Sequence, residues 1–166
     1  MDRLLDLFAE ILEAPGNDLL SRVRECARCA EAVGVPADGL REFEKLVERT
    51  SSEKLAELYR SGSPLIGHQL YGEGYGRSML LMDLQKRYRR HGFEIGDEPA
   101  DHLCVLLRFL SQCSDPAERE EIAREVLVPG LESMTAGGEG EEPAVPADFS
   151  PVLRTVSSAL KEQVGS

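Results

Sequence analysis

Apolar residues recur three and four positions apart along most of the chain, a spacing typical of amphipathic α-helices. Between these stretches stand proline, glycine and helix-capping residues, which end one helix and begin the next. The predicted helices cover approximately residues 4–12, 18–33, 37–49, 51–59, 75–91, 98–110, 115–127 and 150–164. The pattern predicts an all-α fold, a single-domain bundle of about seven or eight helices. Residues 61–75 are the least regular part of the first half.

Several helix boundaries carry specific signals. Gly34 and Gly92 are expected to end the second and fifth predicted helices, since glycine readily adopts the left-handed conformation that follows a helix. Asp115 is expected to cap the seventh helix, and Pro129 is expected to kink or end it. Met79 is expected on the apolar side of the fifth helix, with the leucines around it.

Residues 135–149 differ in composition from the helical stretches on either side. They are rich in Gly, Pro, Ala and Glu and offer little to bury, which predicts a flexible acidic linker. The chain is therefore expected to comprise a helical domain over residues 1–134, this linker, and an amphipathic helix over residues 150–166. That last helix is expected to pack on the same domain.

The net charge of the chain limits the kinds of ligand that it is expected to bind. Nineteen Lys and Arg stand against thirty Asp and Glu, a formal net charge of −11, which repels nucleic acids and anionic membranes and attracts cationic ligands such as a basic peptide. The first residues lack the basic flank of a secretory signal, and the longest apolar run is Leu103–Leu107. We expect a cytoplasmic protein that neither binds nucleic acid nor inserts into a membrane.

The four cysteines give no clear metal site. Cys26 and Cys29 form a C-x-x-C pair that could be half of a zinc site or a redox pair, but they fall inside a predicted helix without a turn between them. Unbridged thiols that pack in or near the core are the expected state in a reducing cytoplasm. No cofactor and no metal site are predicted.

Two short motifs suggest phosphate or nucleic acid chemistry. The glycine-rich GEGYG, residues 72–76, lacks the Lys-Ser/Thr ending of a phosphate loop and follows no predicted strand. It is expected to connect two helices or to change shape around a peptide. The basic KRYRR, residues 86–90, is expected to form a solvated helix face or to dock an acidic surface.

The segment GDEPADHLCVLLRFL, residues 96–110, joins a helix start to core-like leucines. Asp97 is expected to cap this helix, and Pro99 suits its first turn. His102 lies at the edge of the apolar stripe, where a histidine must reach a polar partner or line a groove open to a ligand. Asp101 could orient a donor or receive a guanidinium. From the residues alone, structural and functional roles both remain open.

Two adjacent motifs carry a family resemblance. The first reads Glu, Pro, a spacer, Asp, His and then an apolar helix, supplied here by Glu98, Pro99, Asp101 and His102. The second is a Tyr-Gly turn and a leucine-bearing helix that ends in glycine. Its letters are Tyr71, Gly72, Leu80, Leu84, Tyr88 and Gly92. Together, residues 58–112 resemble the molybdoenzyme-specific chaperones of the TorD/DmsD and NarJ type. Ala100 follows the TorD/DmsD form and residues 68–72 the nitrate reductase form, so the client enzyme stays open.

The resemblance implies an all-helical chaperone without enzymatic activity. Such a chaperone binds the N-terminal, often twin-arginine, leader of the catalytic subunit of a molybdenum-containing oxidoreductase until its cofactor is inserted. An acidic protein with an apolar groove suits a leader that carries arginines next to apolar residues. The resemblance assigns peptide binding to Asp101, His102, Glu98, Pro99, Tyr71 and Tyr75. The choice between monomer and dimer stays open.

Two other functions remain open from the sequence. A small metal-binding or hydrolytic protein could use the histidines and cysteines, but residues far apart in the chain would have to converge. The histidines are His68, His91 and His102. A helical adaptor without a peptide groove would use only its outer surfaces.

Overall fold

The computed structural model describes residues 1–62, 64–72, 74–136 and 145–164, without the side chains of residues 136, 163 and 164. The helices are α1 (Asp2–Glu13), α2 (Leu19–Ala32), α3 (Asp38–Arg49), α4 (Ser52–Arg60), α5 (Ile66–Tyr71), α6 (Tyr75–Arg90), α7 (Leu103–Gln112), α8 (Pro116–Ile122), α9 (Val128–Ala136) and α10 (Ser150–Val164). A π turn, Ala123–Leu127, joins α8 to α9, and a 3₁₀ turn, Ala147–Phe149, precedes α10. No strand occurs within these ranges, so the all-α prediction is confirmed.

Helices α1 and α7 form the centre of the core. They pack against each other, and every α7 side chain from Leu103 to Leu110 is buried except that of Arg108. The apolar run that the sequence shows at this position therefore belongs to a helix enclosed on nearly all sides. Burial of each leucine contributes about 1.5 to 3 kcal/mol relative to leaving it exposed.

Helix α10 packs on α3 and α9. The closest approach is at Gly39, where an added Cβ would stand 2.2 Å from the carbonyl oxygen of Pro151. Beside it, the ring of Phe149 packs on Phe43 and, edge to face, on Tyr59, with centroids 5.7 and 4.9 Å apart. Glycine at position 39 thus permits backbone contact between the two helices.

The predicted linker lies mostly outside the described residues, which omit 137–144. Of its two ends, residues 135–136 complete α9, and residues 147–149 form the 3₁₀ turn whose Phe149 is buried. Over the described ranges, no helix is both long enough and apolar enough to span a bilayer.

Some predicted boundaries agree closely with the structure and others do not. Gly92 takes a φ of 67° just after α6, as expected for the residue that follows a helix. The short helix α5 lies in the stretch that showed no clear period. Pro129 does not end its helix, because the π turn before it widens the backbone. There the Val128 amide donates to the carbonyl of Ala123, five residues back.

Candidate functional site

The side chain of Asp101 lies at the centre of a buried polar cluster between α5, α6 and α7. It is 0% exposed, and its Oδ2 accepts from the Gly67 amide at 3.0 Å. Arg77 donates through Nε to Oδ2 at 3.0 Å and through Nη2 to Oδ1 at 3.1 Å. Of the two roles left open for Asp101, to orient a donor or to receive a guanidinium, the second is filled within this chain by Arg77, in the bidentate geometry of a strong ion pair.

Backbone contacts fix the residues around this cluster. The amide of Ile66 donates to the Asp101 carbonyl, and the amide of Leu103 donates to the Pro64 carbonyl, both at 2.9 Å. An isolated antiparallel bridge joins Leu65 to His102. The segment before α5 is thereby held against the start of α7 as a short two-stranded contact.

His102, not Asp97, caps α7. Its Nδ1 accepts from the Cys104 amide at 3.1 Å, and its own amide donates to the Pro99 carbonyl at 3.1 Å. The expected helix start at Asp97 and Pro99 is wrong, because residues 99–102 form a turn and His102, bridged to Leu65, has extended backbone angles, so the helix begins at Leu103. The peptide-binding role of Pro99 stays a prediction.

Burial sets the protonation of His102. Its side chain is 11% exposed, and burial lowers its pKa below the usual 6.5, although the nearby carboxylates of Glu98, Asp101 and Glu13 oppose the shift. The ring is therefore neutral at pH 7. Since Nδ1 accepts a hydrogen bond, Nε2 carries the proton and points toward Glu98 Oε2, 3.6 Å away.

Replacing His102 with asparagine is expected to reduce the loss of stability between pH 7.5 and pH 5.5. The unfolded chain binds a proton at this residue more readily than the folded chain. The stabilising contribution is therefore complete above pH 6.5 and is lost as the pH falls below that value. Asparagine can still cap α7. Urea unfolding at both pH values measures the difference. An identical pH dependence in the variant would contradict the assignment, and His68→Asn at an exposed position is the control.

A small apolar groove lies beside the start of α7. Among its half-buried and buried lining residues are Leu12, Leu58, Tyr59, Pro64, Leu103 and Phe149. Glu13 follows Leu12 in sequence and forms an ion pair with Arg108, and Glu98 is 53% exposed in its side chain. The groove residue Leu103 directly follows His102, and the exposed carboxylate of Glu98 lies 3.6 Å from that histidine.

The two predicted tyrosines lie away from this groove, around the α5–α6 turn. Tyr71 is 55% exposed, and its side chain lies against Gly76, where an added Cβ would stand 3.1 Å from it. Tyr75 is 80% exposed and lies about 200° around α6 from Arg77. The structure therefore brings Asp101, His102, Glu98 and Pro99 together and leaves the two tyrosines outside this group, exposed around the α5–α6 turn.

Tyr75 begins an exposed stripe that the sequence interpretation missed. Met79 and Met82, at 49% and 54% exposure, follow it one and two turns along α6. The expectation that Met79 belongs to the buried side is wrong, since the inward face of α6 carries Leu84 and Tyr88. We call Tyr75, Met79 and Met82 the α6 stripe. Such exposed Met and aromatic groups are typical of binding surfaces.

Comparisons with known proteins give related sequences and one related fold. No family model matches the chain. The nitrate reductase molybdenum cofactor assembly chaperones NarJ of Escherichia coli K12 and O157:H7 are each 25% identical to it over 132 residues, 79% of this chain and 55% of theirs. The chain thus spans about half the length of these curated relatives.

The structural comparison covers the whole chain. A crystal structure of a candidate redox enzyme maturation protein from Archaeoglobus fulgidus matches with a TM-score of 0.58 and 21% identity. The match covers 100% of this chain and 94% of that one. This likeness shows the fold, and the NarJ relatives confirm the resemblance to molybdoenzyme chaperones.

Proposed function

We propose that the chain is a system-specific chaperone, not an enzyme, which binds the N-terminal leader of a molybdoenzyme catalytic subunit. It would assist cofactor insertion and maturation in the cytoplasm, before assembly or export. The similarity to NarJ supports the kind of client. The observation that carries leader binding is the apolar groove, whose Leu103 directly follows His102 of the family motif, together with the exposed carboxylate of Glu98 3.6 Å from that histidine.

The groove fits a segment in which arginine stands next to apolar residues. Leu12 and Leu58, both half-buried, offer apolar surface, and Glu98 offers a largely exposed carboxylate whose neighbour His102 is neutral at pH 7. A leader guanidinium would therefore meet a carboxylate without a competing positive charge on that histidine. This arrangement gives both an apolar anchor and a charge preference.

The remaining assigned residues have supporting roles in this proposal. Asp101 is fully enclosed and already holds Arg77 and Gly67, so it acts as a positioning residue that fixes α5 and α6 against α7. Pro99 shapes the loop through its carbonyl bond to the His102 amide. Tyr71 and Tyr75 would contact the part of the client that extends past the α5–α6 turn.

Replacing Glu98 with lysine is expected to weaken leader binding by about five- to tenfold, because one exposed charge pair contributes up to about 1 kcal/mol and the reversal adds repulsion. The titration uses a synthetic peptide that copies the N-terminal segment of the co-purifying molybdoenzyme. Glu94→Lys makes the same charge change at another exposed position of the same loop. The affinity of the wild type should also fall as salt rises.

The groove itself is tested separately. Leu58→Ala should weaken the same peptide by about tenfold if this leucine is an apolar anchor, whereas Leu46→Ala, at a half-buried position on α3, should leave affinity unchanged. The proposed site would be rejected if the wild type did not bind the peptide, or if the Glu98→Lys and Leu58→Ala variants bound it as tightly as the wild type. A co-purified partner that survives both substitutions would instead favour a helical adaptor.

A further inference from the structure

Polar side chains from two distant segments meet where α6 ends and α8 begins. His91, Asp115 and Glu118 each present a metal-ligating atom, and these three atoms lie within 4.8 Å of one another. In the part of the chain that the structure describes, no other three His, Cys, Asp or Glu residues meet this condition. Cys113 is adjacent, with its Sγ 4.0 Å from His91 Nδ1.

Glu118 is the buried member of this group. Its side chain is 8% exposed, and its Oε1 accepts no hydrogen bond from the described residues, a costly state for a buried carboxylate. The Nη1 of Arg87 lies 3.3 Å away, but that guanidinium already donates to Asp83 at 2.9 Å and Glu121 at 3.0 Å. Arg87 can therefore keep two carboxylate partners if Glu118 turns to a cation.

The orientation of His91 matches that of a metal ligand. Its Nε2 lies 4.0 Å from Glu118 Oε1, and its Nδ1, on the other side of the ring, faces the Cys113 sulfur. The ring packs edge to face on Phe109, with centroids 5.6 Å apart. Metal-binding histidines commonly donate their second ring N–H to a neighbouring acceptor, which fixes the ring. Cys113 is placed to be that acceptor.

We propose that His91 Nε2, Asp115 and Glu118 bind one divalent transition ion of the Zn²⁺ class, with water at the open position. An imidazole with two carboxylates is a suitable donor set, and Zn–N and Zn–O distances of about 2.0 to 2.2 Å require only small side-chain movements from the observed spacing. The exposed Asp115 and the half-buried His91 leave a path for the ion. The bound ion ties the end of α6 to the start of α8.

The experiment is a titration of the metal-free full chain with Zn²⁺, followed by calorimetry and by the shift in melting temperature. The expected result is one ion per chain and a higher Tm. Glu118→Gln and Asp115→Asn should each weaken binding at least tenfold, and asparagine preserves the cap that Asp115 provides to the amides of Ala117 and Glu118.

The controls change one histidine and one acidic residue outside the cluster. His68→Ala and Glu94→Gln, at exposed positions outside the cluster, should bind Zn²⁺ like the wild type. Absence of stoichiometric binding, or binding that the Glu118 and Asp115 variants retain, would overturn the site. The site would also be overturned if His68→Ala lost as much Zn²⁺ affinity as the Glu118 and Asp115 variants. Because this experiment measures metal affinity, its result does not depend on whether the chain binds a leader peptide.

Discussion

Replacing Asp101 with alanine is expected to lower the free energy of unfolding by about 3 to 5 kcal/mol, since removing one partner of a buried ion pair is strongly destabilising. The variant removes both bonds to Arg77 and the acceptor of the Gly67 amide. Urea denaturation measures the loss. This carboxylate connects three helices, so the effect should be much larger than that of a surface charge.

Two further variants make the Asp101 prediction specific. Asp97→Ala, at an exposed acidic position in the same loop, should change the free energy of unfolding by less than about 0.5 kcal/mol. The double variant Asp101→Ala/Arg77→Met should be more stable than Asp101→Ala alone, because it also removes the partly buried positive charge that Asp101 accompanies in the wild type. If Asp101→Ala lowered the free energy of unfolding by less than about 1 kcal/mol, the buried polar cluster would not hold α5, α6 and α7 together as described above.

Replacing Gly39 with alanine is expected to destabilise the chain by about 2 kcal/mol. The new Cβ would lie 2.2 Å from the Pro151 carbonyl oxygen and 2.5 Å from Thr155 Oγ1, so α3 and α10 must separate. Alanine favours helix formation by up to about 1 kcal/mol relative to glycine, which offsets only part of this cost. Thermal unfolding followed by circular dichroism gives the shift in Tm.

The comparison variant for Gly39 is Gly96→Ala, where an added Cβ meets no atom within 4 Å. It should leave Tm nearly unchanged. If Gly39→Ala proved as stable as the wild type, the contact between α3 and α10 would be looser than the structure shows. α10 would then be less firmly part of the helical domain than its burial indicates.

Helices with regular periods could be predicted from the sequence, whereas contacts between segments could not. The boundaries of α2, α3 and α6 agree with prediction within one or two residues. The predicted start of α7 is wrong. Asp97 and Pro99 carry the usual signals of a helix start, but the backbone bridge between Leu65 and His102 delays the helix until Leu103. Local preference was overridden there by a tertiary contact.

The candidate site shows the same division. Asp101 and His102 could be singled out from the family motif, but their partners could not be identified from the motif alone. One available signal was missed: Arg77 falls on the face of α6 that carries Leu84 and Tyr88. An arginine on a buried face predicts a carboxylate partner. The cluster around His91 gave no comparable signal, because its members meet only after folding.

The π turn at Ala123–Leu127 also affects how this chain is aligned with other proteins. A π turn holds about one residue more than a turn of α-helix, as if a single residue had been inserted into the helix. Against a relative whose helix is uninterrupted, a correct alignment needs a one-residue gap at this turn. Without that gap every downstream position is compared about 100° out of phase, and buried Leu131 is paired with a surface residue.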